Sequence, residues 1–167
     1  MIKNIHYKYI SFFLIILSIS SYFIGFIYGE NSAGGGPADF IHVWSNLQTF
    51  LNNSIVDGVH LTASNDPETY MSARTPLVYI FHKIFNPFVG NEIIFKRSVF
   101  FISFLVPILF YISLKEKFKK EENLLLLLIS SIIFLSPYFR TSSFWALEEN
   151  LGLISLLISF LFLNKFL

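Results

Sequence analysis

Cysteine is absent from the chain, which excludes disulfide frameworks, thiolate metal sites and cysteine nucleophiles. Charge is scarce: 14% of the 167 residues are Asp, Glu, Lys or Arg, against roughly 25% in a soluble domain. The formal net charge is only +1, so no nucleic-acid partner is expected. The glycine run Gly34-Gly35-Gly36 follows no strand pattern and precedes no Lys-Ser/Thr, so it does not read as a nucleotide loop. His42, His60 and His82 lack the i, i+4 spacing of a helical metal pair, and no internal repeat is visible.

What the chain has instead is apolar length. Hydrophobic residues make up 54% of it and aromatics 19%, gathered into charge-free runs at 9–29, 98–114, 123–139 and 150–164. A membrane span needs about 20 mostly apolar residues, with a lower limit near 17. The expected fold is an all-α membrane protein, a single module over 1–167 with about four transmembrane helices at 9–29, 93–114, 123–139 and 149–164. A long extracytoplasmic first loop, 30–92, carries amphipathic interfacial helices. The first run is too long for the ~7–15-residue core of a signal peptide, so it reads as a retained helix. Lysine and arginine set the orientation: seven fall on the amino-terminal side and five on the loop side, the latter including Lys96 and Arg97, which run against the trend. The amino terminus is therefore expected in the cytoplasm, in a cell membrane or, in a eukaryote, the endoplasmic reticulum membrane.

Within the loop, Phe40, Val43, Trp44, Leu47 and Leu51 recur at helical spacing, with Asp39 placed as N-cap. Thr75-Pro76 reads as a second helix start. Leu77, Ile80, Phe81 and Ile84 form that helix's apolar side, and Asn86-Pro87 ends it. Between the two, Asp57-Gly58 and Asn65-Asp66-Pro67 are turn signals.

Five ionisable residues on the loop side could carry chemistry. Asp39 is a carboxylate at the membrane surface, serving as a helix cap, a general base, or both. Arg140, at the outer end of the third run, either snorkels to the headgroups or grips a phosphate with its planar guanidinium. Arg74 is a second phosphate candidate. Glu148 and Glu149 begin the last run, where they oppose the helix dipole. They point in different directions, and one of them could position an acceptor, a sugar hydroxyl or a divalent metal.

The layout resembles the GT-C glycosyltransferases, membrane enzymes that use polyprenyl-phosphate-linked sugars. Gly36-Pro37-Ala38-Asp39-Phe40 looks like the family's early loop acid, Arg74-Thr75-Pro76-Leu77-Val78-Tyr79 like the start of its interfacial helix, and Ser136-Pro137-Tyr138-Phe139-Arg140 with Glu148-Glu149-Asn150 like its second outer loop. The resemblance implies inverting sugar transfer outside the cytoplasm, with Asp39 as base and Arg140 and Arg74 on the donor phosphate. The expected partners are a polyprenyl-phosphate sugar donor and membrane lipids. Family members usually have eight or more spans, so the chain is expected to be an amino-terminal portion that works with a missing carboxy-terminal half or a partner subunit. The rival readings are a non-catalytic membrane subunit or scaffold and, less favoured, a transporter half, which should carry ionisable groups at mid-membrane.

Overall fold

The computed structural model describes residues 2–63 and 76–166, and among these every regular element is helical. Helix α1 (Ile2–Ile27) is followed by a loop-borne group: α2 (Gly36–Asn52), α3 (Ile55–Ala63) and α4 (Leu77–Phe85). Next come α5 (Glu92–Ser103) and α6 (Leu105–Lys117), which together form one 26-residue apolar stretch. The chain continues through α7 (Asn123–Ser131), a 3-10 turn (Ile132–Leu135), α8 (Pro137–Phe144) and α9 (Glu149–Phe166). Three stretches are long and apolar enough to cross a membrane: His6–Ile27, Glu92–Lys117 and Glu149–Phe166.

The expected third span at 123–139 is not one straight helix. It stops at Leu135, and α8 leaves at a 65° bend. Proline disfavours the helical region for the residue before it, and Ser136 accordingly sits at φ −68°, ψ 122°. The Ser136 hydroxyl accepts from Phe139 N at 3.4 Å, so Ser136-Pro137 caps and starts a new helix. The break between α5 and α6 also has a proline cause. Pro107 has no N–H to offer the carbonyl of Ser103 and its ring crowds that carbonyl, and at the break Phe104 N donates three residues back, to Phe101 O at 3.1 Å.

Among the described residues of the loop, one turn signal is helical. Asp57-Gly58 lies inside α3, because Ser54 and Asp57 cap each other: Asp57 N donates to Ser54 Oγ at 3.1 Å, and that hydroxyl donates to Asp57 Oδ2 at 2.6 Å. Gly58 is needed there, since a Cβ would run into the Phe50 ring. Asp39 is not the N-cap of α2. Gly35 takes that position at φ +75°, which glycine adopts without a side-chain clash, and Asn31 Oδ1 accepts from Gly36 N at 3.0 Å. Asp39 lies one turn in. The α4 helix runs to the expected stop at Asn86, while Asn65-Asp66-Pro67, Arg74 and Thr75 lie outside the described residues.

Two clusters hold these elements. One joins α2, α4 and α5 through Phe40, Val43, Leu47, Phe50, Tyr79, Phe95 and Val99, closed by Ala146 and Leu147. The other lies between the long helices and centres on Tyr22, which is fully buried, with Phe100 and Phe134 both 4.9 Å away by ring centroid and Phe144 at 5.0 Å. Such ring pairs contribute about 0.5–1.5 kcal/mol each beyond area burial. That matters in an apolar solvent, where helices gain little from hiding apolar surface and packing and polar contacts hold them together.

Candidate functional site

The segment between α1 and α2 is fastened to α8. Arg140 is buried on α8, and each of its five N–H donors has a partner inside the chain. Nε donates to Glu30 Oε1 at 2.8 Å, and Nη2 donates to Glu30 Oε2 and to Ser21 O, the latter at 3.0 Å. Nη1 donates to Ser21 Oγ at 3.0 Å and to Phe134 O at 3.2 Å. The Phe134 carbonyl belongs to the 3-10 turn just before the break, where helix ends leave carbonyls in need of donors. The Arg140 bond holds the Glu30 carboxyl below its usual range. Gly25 permits the approach, because a Cβ there would collide with the guanidinium and the Phe144 ring.

Three further contacts continue the attachment. Trp145 Nε1 donates to Glu30 O at 3.1 Å, and Ala33 N donates to Thr141 Oγ1 at 3.0 Å. Gly36 lies so close to the Trp145 indole that it has no room for a side chain. Ala146 completes the corner in the left-handed region at φ 52°. Asp39, half-buried in the first turn of α2, thus starts from an anchored loop, its carboxylate turned back toward Gly35.

The other acids face different neighbours. Tyr79 OH donates to Glu148 Oε1 and accepts from Asn46 Nδ2, the latter at 3.2 Å, which ties the 145–148 corner to the cluster of α2, α4 and α5. Glu149 opens α9 and accepts from Ser142 Oγ at 3.0 Å. So Glu148 faces α4 and Glu149 faces α8. Arg140 is joined to the Asp39 loop through Glu30, and Arg74 lies outside the described residues. Among the described residues no group of three or more His, Asp or Glu is placed to hold a metal ion. His82 is buried against Phe95 beside Asn86, and desolvation lowers its pKa from 6.5 to about 4.

Sequence reasoning missed two residues here. Glu30 is the acid that ends the first apolar run, and its only signal was that it and Arg140 are isolated opposite charges at the ends of apolar runs. Lys96 lies over the Phe40 ring, 3.8 Å from its centroid, and 4.9 Å from that of Trp145, with Glu92 Oε1 3.1 Å away. Its signal was its disagreement with the positive-inside trend, which counted it only for topology. Lys96 is thus a cation seated against Phe40, the residue after Asp39. Comparison with protein-family models, curated proteins and solved structures finds no match.

Proposed function

We propose that the chain is a membrane glycosyltransferase module that moves a sugar from a polyprenyl-phosphate donor to an acceptor at the extracytoplasmic face. In this reading α1, α5–α6, α7 with its 3-10 turn, and α9 are four spans, the amino terminus is cytoplasmic, and α2, α3 and α4 lie at the outer surface. Asp39 takes the proton of the acceptor hydroxyl as the oxygen attacks the anomeric carbon with inversion. The bond from that carbon to the phosphate oxygen breaks, and the lipid phosphate departs with the electron pair. The observation that carries this reading is the anchoring of the Asp39 loop to α8, since a base works only when held within hydrogen-bond reach of its proton. Arg140, whose donors are all engaged, then acts as a positioning residue. Arg74 and Lys96 are left to meet the developing phosphate charge.

The engagement of Arg140, Glu148 and Glu149 by partners within the chain favours a second reading, a non-catalytic membrane subunit. Asp39→Asn separates the two. In proteoliposomes with a polyprenyl-phosphate sugar, the enzyme reading expects transfer by the wild type and a loss of at least about 100-fold in the variant, the scale of a general base, with unchanged expression. Full transfer by Asp39→Asn rejects the base. No transfer by the wild-type chain, alone or with added partner subunits, leaves the scaffold.

A further inference from the structure

At the opposite end of the bundle two cavities share a wall. One, about 280 Å³, lies between α6 and α9 and is apolar, lined by Phe110, Leu156, Leu157 and Phe160 among others. The second, about 670 Å³, is an open cleft formed by the 116–121 turn and Asn164. Lys117, Phe118 and Asn164 line both, so the apolar chamber adjoins the charged cleft. Ser113 also lines the chamber, and it is buried with no hydrogen-bond partner for its Oγ. A buried hydroxyl normally finds an acceptor, commonly the carbonyl one turn back, as Ser18 and Ser103 do in this chain.

The charge at this end is positive. The 115–122 turn with Lys8 and Lys165 carries six lysines against three glutamates. Lys117, Lys119 and Lys120 are all exposed on the cleft beside Glu116 and Glu121, and Lys119 is paired with Glu116 at 3.1 Å.

We propose that this is a binding site for a phospholipid with an anionic headgroup, independent of the catalytic reading. One acyl chain enters the α6–α9 chamber, the phosphate sits in the cleft on Lys117 and Lys120, and Ser113 donates to an ester oxygen between them. A free phosphate would satisfy the lysines but leave the chamber and the hydroxyl unused. A neutral lipid would fill the chamber but leave the excess positive charge of the cleft, three lysines against Glu116 and Glu121, unmatched.

The test compares spin-labelled phosphatidylglycerol and phosphatidylcholine in proteoliposomes of the full chain, reading the immobilised fraction of each. The expected result is at least about a fivefold preference for phosphatidylglycerol, the scale of a single lysine contact near an anionic surface, with two lysines in place. It should fall below about twofold in Lys117→Gln/Lys120→Gln, whose exposed positions leave folding intact. Ser113→Val should weaken phosphatidylglycerol retention by at least about twofold, the loss of one ordinary hydrogen bond. Equal retention of the two lipids, or a preference that survives the lysine variant, overturns the site. Displacement of phosphatidylglycerol by inorganic phosphate at matched ionic strength shows a free-phosphate site and overturns the lipid assignment. A Ser113→Val chain with unchanged retention removes the hydroxyl from the proposal.

Discussion

The two ends of this bundle treat charge in opposite ways. At the Glu30–Arg140 end the cation is buried, faces a carboxylate in two-point contact, and spends every donor on α1, the 3-10 turn and the following loop. At the lysine-rich end, Lys117 and Lys120 are exposed around an open cleft. Arginine suits the first setting because its fork matches a carboxylate and stays charged when buried, while lysine is a hydrated point charge on a flexible stem. A basic residue next to an apolar run therefore has two possible uses, and the number of its donors already satisfied distinguishes them.

The comparison breaks most sharply at Arg140. Removing one partner of a buried pair typically costs about 3–5 kcal/mol, because the other charge is left uncompensated. Arg140→Leu should show a loss of that order in thermal unfolding in detergent. Glu30→Gln should cost less, about 1–3 kcal/mol, because the Glu30 side chain is 31% exposed and solvent offsets part of the loss. Equal, negligible losses for both would place this pair with the open end.

Acid is the next lever. His82 has a folded pKa of about 4, below its ordinary 6.5, so the unfolded chain takes up a proton first as pH falls. The stability contributed by neutral His82 is complete above pH 6.5 and declines between 6.5 and 4, by an amount up to about 3 kcal/mol. Glu30 has the same sign in a lower window. Its folded pKa is below the ordinary 4.5, so its contribution is present above that value and disappears as pH falls through the folded one. A melting-temperature profile of His82→Leu should lose the upper slope and keep the lower.

Gly25→Ala tests the closeness of the clasp, and the forced displacement should cost about 1–3 kcal/mol. At the other end Lys120→Gln should stay within about 0.5 kcal/mol of wild type, as surface substitutions do. If Lys120→Gln destabilises more than Gly25→Ala, the contrast between the ends is wrong.

Local patterns made part of this legible. The Phe40, Val43 and Leu47 stripe is the buried face of α2, and the Asn86-Pro87 stop ends α4 where the sequence says it should. Two local readings failed, one a turn signal and one an unbroken span. Asp57-Gly58 is helical through the Ser54 cap and the Phe50 ring, and Pro137 starts a new helix where the apolar run reads straight through it. Asn31 took the capping role expected of Asp39, which required a left-handed Gly35 that no periodicity reveals. The Glu30–Arg140 pair spans 110 residues, and nothing local records a contact of that range. Of the candidate site, Asp39, Arg140, Glu148 and Glu149 stood out in the sequence; Glu30, Lys96 and the contacts among them did not.

The 65° break before α8 carries a consequence for biosynthesis. A broken helix exposes carbonyls that hydrocarbon cannot satisfy, and the Arg140 guanidinium that donates to Phe134 O is held by Ser21 on α1 and by Glu30 in the loop after it. If 123–144 is a span, its insertion should therefore depend on the first helix being in place. A glycosylation-tagged insertion assay should find segment 123–144 entering poorly by itself and efficiently behind residues 1–36, with Ser21→Ala/Glu30→Ala cancelling the gain. Efficient insertion of 123–144 alone would show that the order of assembly is not written into the chain.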